Sequence, residues 1–136
     1  MKGSSWNECI TQNLARKVSS DIERANSLIE TSSERINIIK EINKENCNFV
    51  FEYYYTSLLE LLQSLVIKKG YNVLNHFCLG YYLKDVLKRT DLYLLFDDLR
   101  YKRNALTYYG NKMEFLVALN TIKKAKQLIK EIKCFN

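Results

Sequence analysis

One arginine lies where a helix would be expected to bury hydrocarbon. Leu92, Phe96, Leu99, Arg103, Leu106 and Gly110 follow one another at steps of four and three, the spacing that places side chains on one face of an α-helix. A guanidinium in such a row costs several kcal/mol if it is buried unpaired. Two chemistries account for it. Arg103 pairs with a carboxylate inside the fold, which is structural, or it lines a cleft and meets an anionic group such as a phosphate. The spacing leaves both open. Arg100, Lys102 and Asn104 flank it as further donors. His76, the only histidine, falls one residue after Asn75, a good N-cap, where the helix dipole disfavours a positive ring.

Other catalytic patterns are missing from the sequence. Asp97 and Asp98 stand one turn before the arginines, and Asp98 with Lys102 forms an i, i+4 pair rather than a catalytic carboxylate couple. There is no glycine-rich phosphate loop and no metal-ligand spacing. Cys9, Cys47, Cys78 and Cys134 are far apart, with no Cys-x-x-Cys pair, so neither a metal nor a cofactor is expected and buried free thiols are.

The elements that must position these residues read as helices. The chain has 136 residues, no proline and four glycines, which suits long helices and short loops rather than a β-sandwich. Six helices are predicted: about Trp6 to Lys17, Asp21 to Ile42, Asn46 to Lys69, Asn75 to Arg89, from after Thr90 to near Gly110, and Lys112 to Lys133. Ser5 with Glu8, and Ser20 with Glu23, have the capping-box spacing. Thr90 is read as the cap of the fifth helix. In the second helix Ile22, Ala25, Ile29, Ser32, Ile36 and Ile39 form a core stripe. The third is apolar nearly all round, which places it at the centre of the domain or in an interface between copies. Gly70 and Gly110 stop the third and fifth helices. The sixth has an apolar face from Phe115 to Ile132 and a basic stripe of Lys123, Lys126, Lys130 and Lys133. The expected architecture is an all-α up-and-down bundle of four to five main helices in a single domain. Residues 1–20 form an N-terminal helix and linker, and residues 21–136 form the bundle.

The run Leu99-Arg100-Tyr101-Lys102-Arg103-Asn104-Ala105-Leu106-Thr107-Tyr108-Tyr109-Gly110 resembles the signature helix of HEPN domains (the higher eukaryote and prokaryote nucleotide-binding family), in which an arginine and a polar residue precede a histidine. Arg103-Asn104 match the start of that pattern. The segment from Glu52-Tyr53-Tyr54-Tyr55 to Lys69-Gly70-Tyr71 is similar to the family's long second bundle helix. Asn75-His76 through Leu83-Lys84-Asp85-Val86-Leu87 is similar to the helix that follows it, and the likeness extends from about Asp21 to Lys133. It implies a homodimer that binds a nucleotide, RNA or a nucleotidyltransferase-type partner, as in toxin–antitoxin pairs. The family's ribonucleases cleave RNA without metal, using arginine and histidine. Here Tyr108, Tyr109 and Gly110 occupy the positions where that histidine falls, and a tyrosine, with a reference pKa of about 10, is a poor base. The expectation is therefore binding without a competent ribonuclease centre. The alternative is a metal-independent endoribonuclease using Arg103 with Tyr108, Tyr109 or His76.

Charge agrees with an anionic partner. Residues 1–66 carry a net −2 and residues 67–136 a net +8, for a chain total of +6. The most apolar stretch, Phe49 to Ile67, contains Glu52, Glu60 and Gln63, so it is read as a buried helix and no membrane association is expected. The start, Met1-Lys2-Gly3-Ser4-Ser5-Trp6-Asn7-Glu8, lacks a signal-peptide core, and a reducing cytoplasm is the expected compartment.

Overall fold

The computed structural model describes residues 4–136, so the first three residues of the segment read above for a signal peptide lie outside it. The elements are α1 (Trp6–Thr11), β1 (Ala15–Lys17), α2 (Ile22–Asn37), α3 (Cys47–Lys68), β2 (Tyr71–Val73), α4 (His76–Tyr81), which runs on into a π-helical turn (Tyr82–Val86), α5 (Thr90–Tyr109) and α6 (Phe115–Lys133). The fold is mostly helical, as expected.

Helix α3 is the axis. Val50, Phe51, Tyr54, Tyr55, Leu58, Leu61, Leu62, Leu65 and Val66 are all buried along it, and α2, α5 and α6 pack around it. Its apolar circumference is thus accounted for within one chain, with Phe49 and Tyr53 left 61% and 42% exposed. Helix α2 comes in close because it presents small residues. Ala25 and Ser32 are fully buried. The Ser32 hydroxyl donates to the Ser57 carbonyl (3.0 Å), and the Ser57 hydroxyl donates back to the Ser32 carbonyl (3.1 Å). Each buried hydroxyl is thereby satisfied. Ile22, predicted for this stripe, is instead exposed at the first turn.

The first 20 residues depart most from expectation. α1 ends at Thr11 rather than Lys17, and Ala15–Lys17 form a strand antiparallel to Tyr71–Val73, with Ala15 opposite Val73. The ladder is extended by Val18 N–H to the Gly70 carbonyl (2.8 Å) and Leu74 N–H to the Leu14 carbonyl (2.8 Å). Gly70 turns the chain there at φ +85°, with the Val18 carbonyl oxygen 3.0 Å from where a Cβ would stand. Cys9 and Cys78 form a disulfide, correcting the free-thiol expectation for two of the four cysteines and removing part of the ground for a reducing compartment. Cys47 is free and buried, and Cys134 free and exposed. Trp6 completes the clip. Its ring packs edge-on to Tyr71 and Tyr82, and the Trp6 backbone N–H donates to the Asp85 carboxylate (2.8 Å).

Several caps also differ from the sequence reading. Ser5 accepts from Glu8 N–H (3.1 Å) as predicted, but the Glu8 carboxylate returns to Ser4, one residue early. Asp21, not Ser20, caps α2 through Arg24 N–H (3.0 Å), while Ser20 donates to the Lys68 carbonyl. Thr90 is the first helical residue of α5, and Arg89 is its cap without a side-chain capping bond, its guanidinium reaching Asp91 instead (2.9 Å). The fourth predicted helix is broken at Tyr82, where hydrogen bonding shifts to i+5, as from Leu87 N–H to the Tyr82 carbonyl (3.1 Å). Among the described residues, no helix is long and apolar enough to cross a membrane.

Candidate functional site

The row on α5 is real to its last member. Leu92, Phe96 and Leu99 are buried, Arg103 and Leu106 are half-buried, and Gly110 ends the helix in the left-handed region at φ +66°. α4 is brought against this helix at Gly80, where an added Cβ would stand 3.2 Å from the Phe96 ring and 3.3 Å from Tyr93. Asn75 starts α4 as expected, accepting from Cys78 N–H (2.9 Å). The close crossing leaves a cleft of about 290 Å³ with two walls. Asn75, His76 and Phe77 come from the start of α4, and Arg100, Arg103, Asn104 and Tyr108 come from α5.

Of the two accounts of Arg103, the structure favours the cleft. Among the described residues no carboxylate lies within ion-pair distance of it. Its guanidinium instead sits between two aromatic rings, 5.6 Å from the centroid of Tyr55 and 5.7 Å from that of Tyr108, with a long contact to the Tyr108 hydroxyl (3.5 Å). Cation–π contacts hold the group in place without neutralising it. Arg100 behaves differently. It pairs with Asp97 (2.8 Å) and lies 4.0 Å from the centroid of the Phe77 ring. Among the described residues lining the cleft, Arg103 is therefore the cation without a carboxylate partner.

His76 faces the same space although 27 positions separate it from Arg103 in the sequence. Its Nδ1 is 3.1 Å from the Tyr55 hydroxyl. Tyr55 is buried, and burial pushes its pKa well above the ordinary value, outweighing the nearby Arg103 and Arg100, so the phenol keeps its proton. For His76, burial first, then Arg103 and Arg100, lower the pKa and favour the neutral ring. A buried phenol O–H needs an acceptor. With Nδ1 in that role, this network assigns the imidazole proton to Nε2. The cleft thus combines a guanidinium, a neutral imidazole N–H and the Asn104 amide, a set of donors suited to an oxyanion.

The sequence-derived residues divide accordingly. Arg103, Asn104, Arg100, Tyr108 and His76 come together. Lys102 does not line the cleft and is paired with Asp98 (2.9 Å). Tyr109, 77% exposed, lines a second cavity with Tyr101, Asn104 and Ala105, since successive helical residues point about 100° apart. Sequence reasoning does not single out Tyr55 or Phe77. The signal for Tyr55 lay in the spacing Phe51, Tyr55, Leu58, Leu62, a second stripe on the third helix beside the one through Tyr54. No protein-family model, no curated protein and no solved structure matches this chain.

Proposed function

We propose that this chain is a HEPN-like helical module whose α4–α5 cleft binds the phosphate of a nucleotide or an RNA strand. The observation that carries this reading is Arg103, a half-buried guanidinium with no carboxylate partner among the described residues, opening on a 290 Å³ cleft beside His76. A phosphate oxygen there meets the Arg103 fork, with the His76 and Asn104 donors lining the same cleft. Tyr108, 67% exposed at the mouth, offers a ring face to a base. Pairing of two copies and a nucleotidyltransferase-type partner belong to the same reading and rest on the resemblance of the Arg103-Asn104 helix. Calorimetric titration with a mononucleotide and with an RNA oligonucleotide tests it. Binding that is lost in Arg103→Ala supports the reading, and no binding, or equal binding by the variant, ends it.

One observation favours a second reading, the metal-independent endoribonuclease. His76, which the chain could use in place of the motif histidine, lies in the cleft with Arg103. To act as a base, Nε2 must be free of its proton, with Nδ1–H donating to the Tyr55 oxygen, the reverse of the assignment above. The donor arrangement therefore ranks binding ahead of cleavage. Incubation with structured RNA in chelator separates the two readings. Cleavage by the parent protein, abolished in both Arg103→Ala and His76→Ala, would establish the enzyme.

A further inference from the structure

The basic stripe of α6 takes no part in the cleft, yet it borders a feature of its own. α2 and α6 each pack on α3 rather than on one another. They leave an open groove of about 360 Å³ between them, floored by Tyr54 and Ile129, walled by Ile36, and rimmed by Lys126, Lys130 and Lys133. Tyr54 and Ile129 are buried apolar surface, and the three lysines are exposed. Among the described residues none of the three has a carboxylate partner. The Lys126 ammonium instead lies 5.5 Å from the centroid of the Tyr54 ring.

We propose that this groove is a docking site for an acidic amphipathic helix of a partner protein. Two helices lying side by side on a third form the cradle into which another helix packs, with its apolar face toward the floor. The charges choose the partner. Steps of four and three along α6 set the lysines over about 10 Å, the same rise over which a helix lying alongside presents Glu or Asp at i, i+4 and i+7. An all-lysine rim attracts acidic flanks and rejects basic ones by like-charge repulsion. The apolar floor distinguishes this occupant from a nucleic-acid backbone, which satisfies itself with cations and has no use for Ile36 and Ile129. The partner helix therefore carries Leu- or Ile-type anchors on one stripe and carboxylates beside it.

The experiment is selection from a display library of amphipathic helical peptides whose apolar stripe is constant and whose flanking positions vary among Glu, Gln and Lys. The immobilised full chain is the bait. Glu-rich binders should be enriched. They should bind the triple variant Lys126→Glu, Lys130→Glu, Lys133→Glu at least tenfold more weakly, and their affinity should fall as salt rises. Since the three lysines are exposed and have no carboxylate partner among the described residues, the variant should retain the parent's circular dichroism, which keeps a loss of binding from being mistaken for unfolding. An Ile36→Ser variant should weaken the same peptides while leaving mononucleotide binding unchanged. No enrichment, enrichment of Gln or Lys flanks, or undiminished binding by the triple variant would overturn the proposal. So would an RNA oligonucleotide that binds in a manner dependent on these lysines when the peptides do not.

Discussion

Helices α2, α3 and α6 on one side, and α1, the two strands, α4 and α5 on the other, are held together by different means. The first group is stacked by repetition: apolar rows on long helices, closed by small residues where α2 meets α3. The second is stitched by individual links: a disulfide, a three-residue ladder, the Trp6 packing and the Gly80 crossing. The candidate cleft lies in the stitched part. Two arginines facing α3 show the same contrast. Arg35 on α2 makes a two-point bond with Glu60 (3.1 Å for each N–O pair), whereas Arg103 on α5 has aromatic neighbours and, among the described residues, no carboxylate within ion-pair distance. One guanidinium is consumed by the fold, and the other stays available to a ligand.

The largest test of that contrast is covalent. The disulfide closes a separation of 69 residues, which by loop entropy contributes about 4 kcal/mol. The double variant Cys9→Ser, Cys78→Ser should melt on the order of 10 °C lower by differential scanning calorimetry. Next, Arg103→Ala should weaken mononucleotide binding by about ten- to hundredfold, the loss of charged hydrogen bonds, with its melting temperature unchanged. Arg35→Ala should do the reverse. It should lose about 1–2 kcal/mol in chemical denaturation, because Glu60 is left without its partner, and keep full binding. A smaller effect comes from His76. Its folded pKa lies below the unfolded 6.5, so between those values the unfolded chain binds the extra proton. The contribution is fully present above about pH 6.5 and is lost as pH falls through the folded value, with a slope of at most about 1.4 kcal/mol per pH unit. Melting scans between pH 5 and 8 should show this acid-side decline, flattened in His76→Gln. Last, Lys102→Ala, which breaks a half-buried i, i+4 pair with Asp98, should change stability by less than about 0.5 kcal/mol and leave ligand affinity within twofold. Parity between Lys102→Ala and Arg103→Ala in binding would erase the distinction between paired and unpaired cations.

Legibility in the sequence follows the same division. The stacked part was readable because periodicity is a repeated signal. The faces of α6 and α5 follow the period nearly residue by residue, and the sequence of α3 is apolar all round, as its central place requires. The stitched part rests on single pairings that leave no period. Strands of three residues show no alternation, Cys9 and Cys78 have no spacing that pairs them, and Tyr55 carries the same letter whether it fills a core or holds a histidine. Arg103 was legible because it breaks a row. Its neighbours in the cleft were named as residues, but only the packing of α4 on α5 decided that His76 joins it while Lys102 and Tyr109 do not.

The π-helical turn at Tyr82–Val86 gives chain length a hold on the cleft. Such a turn accommodates one residue more than the α-helical path between the same ends. Deleting a single residue there, and so restoring the regular winding, would swing everything upstream by about 100° about the helix axis. His76 and Phe77 would leave Arg103, and Cys78 would turn away from Cys9. Insertions and deletions in this segment therefore open or dismantle the cleft without changing any residue that lines it.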